Sequence, residues 1–258
     1  VLVVPPIPGG NGEVDPAVLV ICRLLGISQV FRINGPAGIA ALGFGTESIP
    51  KVRKVVGPGS PAVTLAQVEM QRHGLATMML LGPTESLVVA DNTAHVGKLA
   101  SDLLIEAEHG TDSSVVLVCT SQDIIDAVEN ELQIQIGDLP ANRAEACRAS
   151  LGDNGGAILV TSLTEAIDVA NVYAPEHCQV AVSAQHEEMV VDGIINAGEI
   201  LIGQHTPFSA GNFVIGVPAS LPTSGFAHVS SGITVNALIK HTAIAQANET
   251  ALRRMTPT

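Results

Sequence analysis

The chain has 258 residues, enough for one large or two ordinary domains with an ample core. Hydrophobic residues make up 47%, aromatics 2%, and Trp is absent, so the core has to be aliphatic and packed with Ala and Gly, as in helix-covered parallel sheets. A net charge of −13 argues against nucleic acid or an anionic membrane surface as partner, and no apolar run approaches the roughly 20 residues of a membrane span.

Taken in order, the chain alternates between two periodicities. Leu2–Val4 reads as a short strand and 5–12 as a Pro/Gly loop. Asp15-Pro16 then caps a helix that runs to Leu25 and is stopped by Gly26. A strand at 29–33, a short helix at 35–42 and a strand at 52–56 follow. Gly57-Pro58-Gly59-Ser60 turns into a helix over 61–73, and strands are expected at 78–81 and 87–90, with Gly82-Pro83-Thr84 between them as a hinge. The pattern then repeats with a helix over 95–109, a strand at 114–119 and a helix over 121–136 capped by Ser121. Next come a helix over 143–151, a strand at 156–160, a helix over 163–172, a strand at 179–182, a helix over 187–196 and a strand at 199–202. Residues 206–232 read as a long polar loop, and a helical stretch after Val235 closes at Lys240-His241. This rhythm predicts an α/β fold of two lobes with mainly parallel sheets.

Four places carry chemistry. In Tyr173-Ala174-Pro175-Glu176-His177-Cys178, a carboxylate and an imidazole fall together on a helix-to-strand junction, where proton transfer near neutral pH is within reach. A solvated polar turn is the bland alternative. Glu106 and His109 stand three apart on the helix over 95–109, the spacing that metal-binding helices use, although an exposed helix end stopped by Gly110 has the same signature. Asn34-Gly35-Pro36-Ala37-Gly38 and Gly57-Pro58-Gly59-Ser60 each join a strand to a helix, where backbone N–H groups can receive a pyrophosphate. Neither matches GxGxxG, so simple tight turns read equally well. The long loop from Ser209-Ala210-Gly211-Asn212-Phe213 to Ser220-Leu221-Pro222-Thr223-Ser224-Gly225 is polar beyond the needs of a connector. His73, His95 and His186 read as helix-end or exposed histidines, and His205, just ahead of the polar loop, reads as a bystander with reach to the site as the alternative. Cys22, Cys119, Cys147 and Cys178 stand far apart without a CxxC, as buried thiols of a reducing, hence cytoplasmic, compartment do. No signal peptide is visible, and the opening at Val1 inside a strand-like run, without Met, suggests a fragment or a processed chain.

Several runs, in order along nearly the whole chain, resemble histidinol dehydrogenases: 39–52 (IAALGFGTESIPKV), Val56-Gly57-Pro58-Gly59, Gly82-Pro83-Thr84-Glu85, Ala100-Ser101-Asp102-Leu103-Leu104, Ala107-Glu108-His109-Gly110 and Ala174-Pro175-Glu176-His177. The resemblance implies two incomplete Rossmann-like lobes in a swapped homodimer. It also implies oxidation of L-histidinol to L-histidine by two hydride transfers to NAD, with zinc holding the substrate. On that basis residues 1–82 are a partial NAD lobe, 83–245 the substrate and catalytic lobe, and 246–258 a tail. Beside the family, the chain lacks the first strand and helix of the cofactor lobe, with the motif tyrosine of that strand, and the C-terminal tail that donates a zinc-ligating histidine from the other subunit. The acid/base role falls on Glu176 and His177, and a substrate-binding hydroxyl on Thr84.

The departures are informative. His109 matches a zinc ligand, but Glu106 stands at the family's glutamine and Asn212 at its aspartate, an exchange that conserves the summed ligand charge. Zinc and substrate would thus meet Glu106, His109 and Asn212. Ala219 stands at a substrate-contacting histidine, while Ala37 and Ser60 replace a glutamine and an asparagine that contact NAD. Three readings follow: an NAD-dependent dehydrogenase of a different polar alcohol, histidinol dehydrogenase itself as a fragment, and a non-catalytic α/β binding protein on the same scaffold. Glu106, Asn212 and Ala219 speak against the second.

Overall fold

In the computed structural model, residues 1–57, 59–77 and 82–256 are described. The amino-terminal third consists of β1 (Leu2–Val4), α1 (Pro16–Leu24), β2 (Val30–Arg32), α2 (Gly35–Phe44), β3 (Lys54–Val55), α3 (Pro61–Gln71) and β4 (Ala76–Thr77). Its helices start where the side chains dictate. Asp15 accepts from Ala17 N–H at 2.8 Å and Asn34 from Gly35 N–H at 2.7 Å, each just ahead of a Pro that has no N–H to satisfy. The strands form two parallel pairs, β1 with β2 and β3 with β4, over a core that includes Ile39, Leu42, Val55, Met70 and Leu75. The strand expected at 78–81 lies outside the described residues.

The rest of the chain forms one larger layered unit. It runs through β5 (Glu85–Ala90), α4 (Val96–Ala107), β6 (Ser114–Cys119), α5 (Gln122–Gly137), α6 (Ala141–Gly152), β7 (Gly156–Leu159), α7 (Leu163–Tyr173), β8 (His177–Ala181), α8 (Ala184–Gly193) and β9 (Glu199–Ile202). These strands make a five-stranded sheet in the order β7-β6-β5-β8-β9, parallel throughout. Strand alternation sends Val88 and Ala90 into a core under α4, α5 and α6, and Leu87 and Val89 into another under α7 and α8. Both faces are covered, which is why β5 and β6 read as unbroken apolar runs.

Three local findings refine the element boundaries. Strand β8 starts at His177, two residues earlier than its apolar run, because His177 and Cys178 pair with Glu199 and Ile200 on one side and with Ser86 and Leu87 on the other. The long loop is partly helical, with short turns at Phe208–Ala210, Gly211–Ile215 and Phe226–His228, anchored by the fully buried Phe208. Within the expected tail, Glu249–Met255 is helical, with Asn248 accepting from Ala251 N–H at 2.8 Å. Among the described residues no helix is long and apolar enough to cross a membrane.

Candidate functional site

The site grows from the turn after α7. Ala174, fully buried, takes a left-handed conformation (φ 53°) and its N–H closes the helix onto Ala170 O. That conformation costs a residue with a Cβ about 1–2 kcal/mol, and it swings Pro175 and Glu176 onto the start of β8. Strand β9 clamps the turn from the side, with Gly198 N–H donating to Pro175 O at 2.9 Å and Glu199 N–H to Glu176 O at 3.1 Å. Register then sets Ser86, His177 and Glu199 in one row across β5, β8 and β9.

Glu176 and His177 are both buried and lie side by side, with Glu176 Oε1 3.7 Å from His177 Nε2. Glu176 Oε2 accepts from Glu85 N–H at 3.2 Å, and Glu85 Oε2 in turn accepts from Ser224 N–H at 3.0 Å, which draws the polar loop back over the site. His177 Nδ1 meets Glu199 Oε1 at 2.5 Å, and Phe208 packs against the imidazole in a T-shaped pair with ring centroids 5.8 Å apart. Burial pushes the Glu176 carboxyl up to about 7 against the attraction of His177, with the charges of Glu106 and Glu85 adding to the rise. For His177 burial opposes the charged form, but the bond to Glu199 and the negative charges of Glu106, Glu176 and Glu199 more than offset it, and its pKa is raised.

Glu106 reaches the same polar cluster from α4. Asn212 Nδ2 donates to Glu106 Oε1 at 2.9 Å, so these two expected ligands are in direct contact. The other oxygen, Glu106 Oε2, is buried without a hydrogen-bond partner, 3.6 Å from Nδ1 of the half-exposed His109. His109 Nδ1 also lies 3.1 Å from Ile105 O, a contact that orients the ring. Among the described residues no three His, Cys, Asp or Glu side chains converge as a metal-binding group. Glu106, His109 and Asn212 supply a carboxylate, an imidazole and a carboxamide, and the unpartnered Oε2 is the acceptor a cation would satisfy. Carboxylate and imidazole are donor types that zinc accepts.

The remaining expected residues are dispersed. Thr84 immediately precedes β5 and is half-buried beside Glu85. Ser60 is the residue before α3 and, with Asn34, Gly35, Gly57 and Gly59, lines a cavity of about 520 Å³ between β1, β3 and the starts of α2 and α3. Ala37 sits exposed in the first turn of α2 and does not line that cavity. Sequence reasoning missed Glu85, Phe208 and above all Glu199, whose only mark in the sequence is its place at the head of a strand. His95 caps α4, as expected of a helix-end histidine, and His205 Nδ1 lies 3.3 Å from Lys98 Nζ.

Parallel sheets covered by helices place the chain among α/β proteins of Rossmann-like build. An acetylating aldehyde dehydrogenase from Geobacillus thermoglucosidasius shares this fold at 15% identity and a TM-score of 0.58, over 96% of this chain and 70% of that one. The histidinol dehydrogenase family model matches residues 1–258, and the chain belongs to that family. It is 40% identical over 233 residues to a histidinol dehydrogenase of Bacteroides fragilis, covering 90% of this chain and 53% of the relative. It is 38% identical over 251 residues to a histidinol dehydrogenase homolog of Colwellia psychrerythraea, covering 97% and 56%. A crystal structure of histidinol dehydrogenase from Elizabethkingia anophelis superimposes with a TM-score of 0.92 at 34% identity, over 98% of this chain and 57% of that one. The chain thus spans about half the length of the curated relatives it matches.

Proposed function

We propose that the chain carries the substrate lobe, and part of the NAD lobe, of an NAD-dependent dehydrogenase. Its substrate is a polar alcohol, L-histidinol or a related amino or hydroxy alcohol. The observation that supports this reading is the buried Glu176-His177 pair facing Glu106, with His109 and Asn212 beside it. NAD, when bound, accepts the hydride, and zinc, when bound to Glu106, His109 and Asn212, supplies Lewis-acid polarisation and a template for the substrate.

The chain's own groups manage the proton. As hydride leaves the carbinol carbon, the hydroxyl proton passes to His177 Nε2, and the neighbouring carboxylates stabilise the imidazolium that results. Glu176, with its carboxyl pushed up to about 7, can release or accept a proton near neutrality, which suits a second oxidation that starts from the hydrated aldehyde. Thr84 offers a hydroxyl to the substrate, and Ser60, in the lining of the glycine-bordered cavity, and Ala37, exposed in the first turn of α2, would contact the dinucleotide. A homodimer belongs to the same reading.

Zinc content and NAD binding of the purified protein test it, with Glu106→Ala and His109→Ala as controls, followed by turnover of L-histidinol and other polar alcohols. Stoichiometric zinc lost in both variants, together with NAD binding, is the expected result. Absence of both zinc and NAD binding would overturn the reading in favour of a non-catalytic binding protein on this scaffold.

A further inference from the structure

Glu199 enters the reading above only as one of several charges near the imidazole, yet it is the carboxylate in closest contact with it. Its Oε1 lies 2.5 Å from His177 Nδ1, and the two side chains are 5% and 4% exposed. We infer that Glu199 is the positioning residue of the site: it accepts from His177 Nδ1–H and thereby presents Nε2, with its lone pair, to the substrate hydroxyl. The inference rests on the acid/base reading of His177, and it specifies which ring nitrogen acts and what holds it.

The geometry leaves the ring little freedom. An ionised carboxylate can only accept, so a neutral imidazole bonded to it must carry its hydrogen on Nδ1. Three carboxylates face the ring, Glu106 from α4, Glu176 from its own junction and Glu199 from β9, and Glu85 on β5 faces Glu176. Of these, only Glu199 is within hydrogen-bond distance of a ring nitrogen, since Glu176 Oε1 stands 3.7 Å from Nε2. Phe208 packs against the ring in a T-shaped pair at an interplanar angle of 69°.

Glu199 is itself held by the neighbouring strand β8. Its backbone N–H donates to Glu176 O at 3.1 Å and it pairs with His177 in the β8–β9 register, so one residue anchors both members of the pair. A slip of one residue would turn its side chain to the other face of the sheet. Gly211 packs close by: a Cβ there would lie 3.0 Å from Leu201 Cδ1 and 3.4 Å from Glu199 Oε1. The arrangement is that of a buried carboxylate fixing the tautomer of a catalytic histidine.

Nitrogen-15 NMR of the His177 ring at high pH, where the ring is neutral, tests this directly. The wild-type ring is expected in the Nδ1–H form, Glu199→Leu is expected to lose that preference, and Glu199→Gln to keep it with a weaker bond and an upfield Nδ1 proton. In turnover, Glu199→Leu is expected to lower kcat on the order of 10²-fold with KM changed by less than about twofold. An Nε2–H ring in the wild type, or a ring unchanged in Glu199→Leu, would overturn the inference. Should the Leu variant fail to fold, the wild-type and Glu199→Gln spectra decide, and an identical Nδ1 proton in the two would overturn it. A wild-type protein with the Nδ1–H ring but no alcohol oxidation would sink the dehydrogenase reading and leave the tautomer assignment intact.

Discussion

Replacing Glu176 by Gln should flatten the dependence of stability on pH. Glu176 is 7% exposed, and burial lifts its carboxyl from the ordinary 4.5 to about 7. Between those values the folded protein holds a proton that the unfolded chain has already released. The stability linked to this group is therefore complete below about pH 4.5 and lost as pH rises through about 7. At about 1.4 kcal/mol for each tenfold change in proton affinity, the loss amounts to about 3 kcal/mol. His177, whose pKa is also raised, acts in the same direction, and part of its rise comes from the Glu176 charge that the substitution removes. Gln keeps an oxygen to accept from Glu85 N–H, so the turn itself should survive. Urea denaturation followed by circular dichroism at about pH 5 and about pH 8 reads the effect. The wild type should weaken markedly between the two, and Glu176→Gln should flatten that decline. Equal pH dependence in both proteins would refute a buried Glu176 that holds its proton to neutrality.

Two further outcomes are expected. Gly198→Ala would bring a Cβ to 2.5 Å from Glu176 O, 3.1 Å from Leu221 Cβ and 3.2 Å from Pro222 Cδ, where backbone rather than a flexible side chain has to yield. Denaturation should show a loss of about 1–3 kcal/mol, and an unchanged midpoint would mean that β9 does not clamp the turn this tightly. Cys178 is fully buried and its thiol is pushed to about 12 by burial and then by the Glu199 charge, so a thiol reagent should modify it no faster than the protein unfolds. Labelling of native Cys178 ahead of unfolding would contradict that environment.

Much of the fold was legible because the relevant signals are local. Asp15-Pro16 and Ser121 begin helices where their side chains cap free N–H groups, and the aliphatic runs at 87–90 and 114–119 mark strands covered on both faces. The start of β8 was misplaced by two residues because His177 and Cys178 join the strand through their neighbours β5 and β9, and a pairing partner leaves no trace in a strand's own composition.

The site divides along the same line. Chain spacing alone determined that Glu176 and His177 share a junction and that Glu106 and His109 share the end of a helix, since residues adjacent or three apart on a helix have to be neighbours. Tertiary structure alone decided that Asn212 meets Glu106, 106 residues away, and that Glu199 meets His177. Those contacts depend on strand register and on the return of the polar loop. Burial, likewise a property of the assembled layers, is what raises the Glu176 carboxyl toward neutrality, whereas the same Glu-His pair on an open turn would titrate at ordinary values.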